Sequence, residues 1–253
     1  MPANPEDESN KYQQTEAQLE AIEREIRDTQ SLTSEKLPLL ALRTLYHENS
    51  NFKKGVEYLS LSYRDLRRVR GDGNCFYRAL LYGMCESLLI RPLERERITT
   101  LIQNSLDSVV LCGYERFTLE AFHDELVDLL QNLKESTLHA TLNEENATSD
   151  YATWYFRILC AAHLKSDPDR FVHFLEYPDL PEFCSREVEP MGKEADMVQV
   201  LALAEVLQIS VLIEYLDGRD FQDKLTQHQF GPPEAKTKVT LLYRPGHYDI
   251  LYR

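Results

Sequence analysis

The segments with strand character lie at the C-terminal end of this 253-residue chain, behind a long run of helical patterns. β-Branched and aromatic residues, which favour strands, concentrate in residues 209–216, 238–244 and 247–253. Apolar residues recurring every three or four positions predict helices at residues 75–89, 94–111, 118–134, 151–165 and 194–207. Thr118 and Asp150 are suitable N-caps for two of these helices. Helices followed by strands, without regular βαβ alternation, predict an α+β fold.

The polar N-terminus is expected to lie apart from the main domain. Leu19, Ile22 and Ile26 form a narrow apolar stripe within a Glu-rich stretch. Such a stripe is typical either of a partly disordered tail with a nascent helix or of an arm that docks on a partner. Apolar density then rises in LPLLALRTLYHE and YLSLSYRDL, which we interpret as helical segments. Residues 1–36 are therefore predicted to be a polar arm, partly helical or disordered, and residues 37–253 the folded domain.

Charge and cysteine content narrow the class of protein. The formal net charge of −14 opposes binding to nucleic acid, because phosphate contacts require clustered Lys and Arg. The first residues lack the basic and apolar regions of a secretory signal, and no apolar run reaches the roughly 20 residues that span a bilayer. Five scattered cysteines without metal-ligand spacing indicate reduced thiols. We expect a cytoplasmic protein with no membrane segment, no metal and no nucleic-acid partner.

Cys75 is the first candidate for a catalytic residue. It lies where the Gly-rich turn in RGDGNCFYRAL gives way to a helical pattern. Unpaired N–H groups and the positive end of the helix dipole favour a thiolate at such a position. The turn residues Asp72, Gly73 and Asn74 can direct backbone N–H groups at a small anion beside the sulfur, as in an oxyanion hole. From this segment alone, Cys75 could instead be a buried structural thiol. A structural role is the preferred interpretation of Cys85, Cys112, Cys160 and Cys184.

A second candidate pair lies near the C-terminus, in YRPGHYDILY. Strand alternation places His247 and Asp249 on one face of the predicted strand. Asp249 could then accept a hydrogen bond from one imidazole nitrogen, so that the other nitrogen faces a thiol. An ordinary strand-end pair is the alternative. A Cys at a helix start, combined with a distant His and an acidic partner, is typical of a cysteine hydrolase.

The motifs DGNCFYRA and YRPGHYDILY resemble those of the ovarian tumour (OTU) class of deubiquitinases, and within that class the otubains. SDY at residues 149–151 and EFCSREVEPMGKEADM at residues 182–197 extend the resemblance over about residues 35–253. The resemblance implies a papain-like OTU cysteine protease fold, in which a small, mainly antiparallel C-terminal sheet is packed between helices.

The resemblance also assigns roles to the candidate residues. It implies Cys75 as the nucleophile, His247 as the general base and Asp249 as the orienting acid. The loop from Asp72 to Cys75 would supply the oxyanion donors. Asp72 itself is either a catalytic residue or an Asx-turn residue that holds this loop in shape.

By the same resemblance, the chain is expected to hydrolyse isopeptide bonds in polyubiquitin and ubiquitin conjugates, as a monomer and without a cofactor. Otubains with an N-terminal arm prefer chains linked through lysine forty-eight of ubiquitin and also engage ubiquitin-conjugating (E2) enzymes. Both partners are therefore expected, in the cytoplasm and also in the nucleus. Two alternatives stay open: a mainly non-catalytic protein that sequesters charged conjugating enzymes, and a protease for a ubiquitin-like modifier.

Three positions depart from the otubain pattern. Gly71 replaces a common Pro before the DGNC turn, and the added glycine is expected to loosen that loop. Gly192 and Met197 replace a Cys and a His near the ubiquitin-binding helix, so an effect on ubiquitin affinity is expected. None of the three is a predicted catalytic residue.

Overall fold

The computed structural model describes residue 21 and residues 24–253, with the exception of residues 47, 176, 178, 220 and 222. Its strands are β1 (Thr33–Pro38), β2 (Asp65–Val69), β3 (Ser210–Tyr215), β4 (Thr226–Phe230), β5 (Lys238–Arg244) and β6 (His247–Tyr252). They form a sheet in the order β1-β2-β6-β5-β3-β4. Among these strands only the β3–β5 pair is parallel, so the sheet is mainly antiparallel, as predicted.

The described α-helices surround this sheet. They are α1 (Leu42–Leu45), α2 (Ser50–Leu59), α3 (Cys75–Leu89), α4 (Pro92–Leu111), α5 (Arg116–Gln131), α6 (Glu135–Thr141), α7 (Thr148–Ser166), α8 (Pro168–Phe171), α9 (Leu180–Phe183) and α10 (Met197–Leu207). Short 3₁₀ turns occur at Leu39–Ala41 and Val172–Phe174, and a π-helical turn at Cys184–Val188. None of the described helices is both long enough and apolar enough to cross a bilayer.

The predicted helices correspond to α3, α4, α5, α7 and α10, and their ends differ from the prediction by at most three residues. The two predicted N-caps are wrong. Glu115 precedes α5 and Ala147 precedes α7, so Thr118 and Asp150 lie inside the first turns instead. Residues 24–29 of the predicted arm are helical, whereas Leu19 and Ile22 of its apolar stripe lie outside the described residues.

Three strands are not predicted by the sequence: β1, β2 and β4. β1 and β4 are the edges of the sheet, and their mostly exposed polar side chains carry no apolar pattern. β2 includes the end of YLSLSYRDL, for which the helical interpretation is wrong, because residues 65–69 pair with β1 and β6. β1 also lies across the boundary predicted at residue 37, so residues 33–36 belong to the sheet.

Helices cover both faces of the sheet. On one face α3 packs against β5 and β6, and α4, α5, α7 and α10 complete the main apolar core. Gly83 of α3 permits this close approach, because a Cβ atom there would lie 2.7 Å from Cγ1 of Val239. On the other face, apolar residues before and within α1 and α2 pack on β5 and β6; they include Leu39, Leu42, Val56 and Leu59 against Leu242 and Leu251. This packing fixes α3, and so its first residue, relative to β6.

Candidate active site

Cys75 is the first residue of α3, and its thiol is buried in the main core. Asn74 precedes the helix, and its side chain does not cap the helical N–H groups. The N–H of Cys75 is therefore one of the first-turn donors that have no acceptor within the helix. Because the positive end of the helix dipole lies here, negative charge is stabilised at this position.

The β5–β6 hairpin brings His247 to the thiol. Pro245 and Gly246 form its two-residue turn, and Gly246 adopts the positive φ of 71° that glycine tolerates there. Nε2 of His247 lies 2.9 Å from Oδ1 of Asp249. Interaction with the Cys75 side chain raises the pKa of the imidazole, which places the thiol beside the ring, and because Nε2 faces Asp249, Nδ1 is left for the sulfur. The structure thus brings the three predicted residues together.

Asp249 is fully buried and is held from three sides. Oδ1 accepts a hydrogen bond from the N–H of Val69 at 3.0 Å and faces Nε2 of His247. Oδ2 accepts from Nη2 of Arg244 at 2.6 Å. Burial raises the pKa of the Asp249 carboxyl, but the hydrogen bond with His247 and the charge of Arg244 outweigh burial and lower it. The carboxylate therefore stays ionised and fixes the imidazole ring.

The imidazole of His247 is protonated at neutral pH. Burial lowers the pKa of His247, but its hydrogen bonds with Asp249 and Cys75 outweigh burial and raise this pKa from 6.5 to about 9. A protonated imidazole between a carboxylate and a sulfur can give its proton to a leaving group, as the general acid beside a cysteine nucleophile does.

The carboxylate of Asp72 shapes the loop that precedes Cys75. Its Oδ1 accepts a hydrogen bond from the N–H of Asn74 at 3.0 Å, which forms an Asx turn. Both oxygens also accept from Nη1 of Arg78, at 2.7 and 2.6 Å, and Nη2 of Arg78 reaches Asp150. These contacts are those of the Asx-turn alternative, in which Asp72 holds the loop. They also engage the N–H of Asn74, which is therefore not a free oxyanion donor.

Gly73 and Gly192 lie back to back beside this loop. Gly73 has a φ of +74°, and a Cβ atom there would lie 2.0 Å from the carbonyl oxygen of Gly192. Gly192 has a φ of +82°, and its N–H donates to Oδ1 of Asn74 at 2.9 Å. Positive φ and the close approach together require glycine at position 73. Gly192, a departure from the otubain pattern, therefore contacts the predicted oxyanion loop directly.

Three arginines that support the site are absent from the sequence prediction: Arg78, Arg157 and Arg244. Arg78 and Arg157 are buried, and each lies inside an otherwise apolar helical segment. That position is a usable signal, because a charged side chain is rarely buried without specific partners. Arg244 stands within the YRPGH motif itself, directly before the Pro245-Gly246 turn, and contacts Asp249 across the hairpin.

A cavity of about 620 Å³ opens beside Cys75. Its lining combines aromatic rings with carboxylates, from Tyr215, Tyr243, Tyr248, Glu194, Asp196 and Asp217. The half-exposed Met197 also lines it, at the position where otubains commonly have His. Arg219 also lines the cavity and pairs with Asp217 at 3.0 Å, so the remaining negative charge comes from Glu194 and Asp196 and favours a substrate segment with positive charge. A larger cavity of about 1010 Å³ does not include Cys75 and lies around Arg67, Tyr82 and Glu86.

The other four cysteines are free thiols, and they differ from Cys75 in their surroundings. Cys85 and Cys160 are completely buried, and burial raises the pKa of the Cys85 thiol to about 12. Burial also raises the pKa of Cys184 to about 12. Protonated, enclosed thiols are poor nucleophiles, which supports the prediction that Cys85, Cys160 and Cys184 are structural. Cys112 is partly exposed, and its structural role stays a prediction.

A buried thiol at a helix start, with a protonated imidazole that lies between it and an ionised carboxylate, forms the site of a cysteine peptidase. Comparison with known proteins agrees with this class. The sequence matches the family Peptidase C65 Otubain over residues 25–253, and the chain belongs to the otubain family.

Individual relatives support the same assignment. Ubiquitin thioesterase OTUB1 of Rattus norvegicus is 39% identical over 243 residues, which cover 94% of this chain and 89% of that protein. Ubiquitin thioesterase OTUB2 of Homo sapiens is 35% identical over 228 residues, which cover 88% of this chain and 95% of that protein. A solved h/ceOTUB1–ubiquitin aldehyde–UBC13~Ub structure matches with a TM-score of 0.88 at 28% identity, covering 95% of this chain and 97% of that chain. The predicted OTU fold is therefore confirmed.

Proposed function

We propose that the chain is a cysteine-type deubiquitinase that hydrolyses isopeptide bonds, with Cys75 as nucleophile, His247 as general base and acid, and Asp249 as the orienting residue. One observation carries the proposal. Nε2 of His247 is held 2.9 Å from Oδ1 of the buried Asp249, so Nδ1 is presented to a thiol at the start of α3. The names of the relatives, ubiquitin thioesterases, support ubiquitin as the modifier.

The reaction follows from this geometry in two halves. The Cys75 thiolate attacks the carbonyl carbon of ubiquitin's terminal glycine, and the carbonyl oxygen becomes an oxyanion beside the N–H of Cys75. The tetrahedral intermediate collapses as the His247 imidazolium gives its proton to the departing lysine amine. His247 then takes a proton from water, which attacks the thioester and releases ubiquitin's carboxylate and the Cys75 sulfur.

Paired cysteine variants test the nucleophile. Cys75→Ala is expected to abolish cleavage of di-ubiquitin, whereas Cys85→Ala, in the same helix but with an enclosed thiol, is expected to retain it. Both variants should show circular dichroism spectra of the folded protein. Normal cleavage by Cys75→Ala would contradict the mechanism. Trapping with aldehydes of ubiquitin and of ubiquitin-like modifiers, in parallel, identifies the modifier, and capture of a ubiquitin-like modifier alone would reject ubiquitin.

A preference for chains linked through lysine forty-eight is a finer part of the proposal. The anchoring of helical residues 24–29 beside the catalytic loop supports it. Nε of Arg70 donates to the carbonyl of Gln30 at 2.8 Å, and Arg70 lies two residues before the loop that begins at Asp72. The ubiquitin that carries the acceptor lysine is the leaving group, and it would contact this helix as it leaves the site. Cleavage of all eight di-ubiquitin linkages at equal rates would reject the preference.

Non-catalytic binding of charged ubiquitin-conjugating enzymes is a second proposed function. It is favoured by the likeness to solved OTUB1 structures that contain UBC13~Ub and UBCH5B~Ub. Because β1 begins at Thr33, a deletion that tests the arm should stop at residue 23 and leave the sheet intact. Cys75→Ala is expected to inhibit ubiquitin-chain synthesis, and the same variant lacking residues 1–23 is expected to inhibit it less. Equal inhibition by the two proteins would contradict a role for the arm.

A further inference from the structure

Arg157 of α7 has the largest completely buried side chain among the described residues. Its guanidinium lies over the ring of Tyr77, 4.2 Å from the ring centre. The acceptors of its hydrogen bonds among the described residues are neutral: one side-chain amide oxygen and three backbone carbonyls, from Asn74, Gly73, Val188 and Lys193. Burial lowers the pKa of Arg157. The Asp72 carboxylate attracts the guanidinium without a hydrogen bond to it. A buried cation whose hydrogen-bond acceptors are neutral is costly, so its position calls for a reason other than stability.

The acceptors of Arg157 belong to two segments that meet at the candidate active site. Nε and Nη2 donate to Oδ1 of Asn74 at 3.2 and 2.7 Å, and Nη2 also donates to the carbonyl of Gly73 at 2.9 Å. On the opposite side, Nη1 reaches the carbonyl of Val188 at 3.0 Å, and Nη2 that of Lys193 at 2.6 Å. The planar fork therefore joins the loop before Cys75 to residues 188–193. A lysine could not reproduce it, because its ammonium is a single point donor.

The amide of Asn74 is the centre of this junction. Its oxygen accepts from the Arg157 fork and from the N–H of Gly192 at 2.9 Å. The same contact seats Gly73 against Gly192, where not even a Cβ atom would fit. Gly71 and Gly73 give the loop conformational freedom that only such external contacts remove.

We propose that Arg157 is a positioning residue for the oxyanion loop. Through the amide of Asn74 it fixes Gly73 against Gly192, and it thereby holds the N–H of Cys75 where the tetrahedral oxyanion forms. Asn74 is the residue directly before Cys75, so the Asn74–Cys75 peptide that carries this N–H turns with the Asn74 backbone. The proposal rests on the proposed thiol hydrolase function, and it assigns Arg157 to acyl transfer rather than to thiol activation or ubiquitin binding.

Acylation and alkylation of the same sulfur separate these roles. Acylation of Cys75 passes through an oxyanion, whereas alkylation by iodoacetamide is a displacement at carbon that forms none. Removing one oxyanion donor typically costs about 100- to 1000-fold in rate. For Arg157→Lys we expect kcat for a ubiquitin C-terminal coumarin amide to fall about 100-fold, with KM and the rate of Cys75 alkylation each within about threefold of wild type.

A double-mutant cycle shows whether Arg157 acts through Asn74. Asn74→Ala removes the shared acceptor and is expected to reproduce the loss in kcat. The double variant should lose no more than the larger single loss, because the two residues act as one unit. Arg67→Lys is the matched control: this buried arginine contacts Ser34, Glu86 and Tyr252, away from the loop, and kcat should stay within about threefold.

Three results would overturn the proposal. They are an unchanged kcat in Arg157→Lys, an alkylation rate that falls in parallel with kcat, or losses that multiply in the double variant. If Arg157→Lys does not fold, as thermal unfolding would reveal, Asn74→Ala alone decides by the same comparison of kcat with alkylation. Acylation of Cys75 by p-nitrophenyl acetate repeats the test without ubiquitin. If the wild type did not cleave ubiquitin substrates, the proposed function would be contradicted, but the p-nitrophenyl acetate test would still decide the role of Arg157.

Discussion

The charge of Asp249 can be removed with little change of shape by the substitution Asp249→Asn. The carboxylate accepts from the N–H of Val69 and faces Nε2 of His247 with Oδ1, and it accepts from Arg244 with Oδ2. An amide has one acceptor oxygen and one NH₂ donor. If the amide oxygen faces Arg244, its NH₂ group faces the imidazole and favours the tautomer with an unprotonated Nε2, which is the wrong one. With its oxygen towards His247, the NH₂ group opposes the guanidinium of Arg244.

The magnitude follows from the pKa of His247, which its hydrogen bonds with Asp249 and Cys75 raise against the effect of burial from 6.5 to about 9. At about 1.4 kcal/mol for each pKa unit, this rise corresponds to roughly 3 kcal/mol of preference for the imidazolium. Without the carboxylate, only the interaction with Cys75 acts against burial, and the pKa is expected to fall back towards 6.5. At pH 7.5 a group of pKa 6.5 is only about one-tenth protonated, so loss of the imidazolium should lower the activity by up to about 10-fold.

The pH dependence of kcat/KM for a ubiquitin amide substrate measures this effect. Activity of the wild type is expected to decline above pH 9, as the imidazolium that protonates the leaving amine is lost. In Asp249→Asn the decline should begin at least one pH unit lower. Glu214→Gln, which changes another buried carboxylate that contacts Tyr63 and Gln227, should leave the decline near pH 9. A decline that stays near pH 9 in Asp249→Asn would refute the assignment of Asp249.

Unfolding free energies supply an independent check of the same charges. A His247 pKa raised above its unfolded value contributes stability that is complete below about pH 6.5 and is lost as pH rises through about 9. The lowered pKa of Asp249 contributes stability above its unfolded value near 3.8, which is lost on acidification. The difference in unfolding free energy between wild type and Asp249→Asn is therefore expected to be largest between about pH 4 and 6.5 and to narrow towards pH 9. A constant difference would contradict the linkage.

Two further substitutions test the loop and the arm. Gly73→Ala combines a positive φ with a Cβ atom 2.0 Å from the carbonyl oxygen of Gly192, whereas Gly113→Ala has a positive φ with no atom of the described residues within 4 Å. Gly113→Ala should lower the unfolding free energy by about 1 kcal/mol. Gly73→Ala should lower the unfolding free energy clearly more, and it should also lower kcat at least about 10-fold. Equal losses of stability in the two variants would contradict the close contact. Arg70→Gln removes the donor to the Gln30 carbonyl, so amide exchange at residues 24–30 should accelerate at least about 10-fold. Arg68→Gln, at an exposed neighbouring position, should not change that exchange, and unaltered exchange in Arg70→Gln would contradict the anchoring.

The positions of the proposed catalytic residues could be predicted from the sequence because each depends on local structure. A glycine-rich turn followed by an apolar helical pattern places Cys75 at a helix start, and α3 begins at that residue. Pro245-Gly246 between two strand-like segments predicts a tight hairpin, and strand alternation then pairs His247 with Asp249. Neither inference requires knowledge of the tertiary fold.

The N-terminal strands could not be predicted because their stability comes from partners far away in the chain. β1 has mostly exposed side chains, and it is held by pairing with β2 and by a bond from the N–H of Thr33 to Oδ1 of Asn143. β2 carries the buried Arg67, whose polar partners come from other segments, so its sequence shows no apolar alternation. A polar strand of this kind is recognisable only when the sheet beside it is known.

The same reasoning explains why the roles of the arginines at the site could not be predicted, whereas the proposed catalytic residues could. The chain is acidic, with 28 Lys and Arg against 42 Asp and Glu. Arg78 ties Asp72 to Asp150 of α7, Arg157 ties Asn74 to residues 188–193, and Arg244 ties Asp249 to the hydroxyl of Tyr46. In each case a planar fork joins a segment of the active site to a distant element, which a local pattern cannot reveal. What the sequence does show is an arginine inside the apolar helix TWYFRILC, and because burying a cation is costly, that position alone indicates a polar partner that must be held in place.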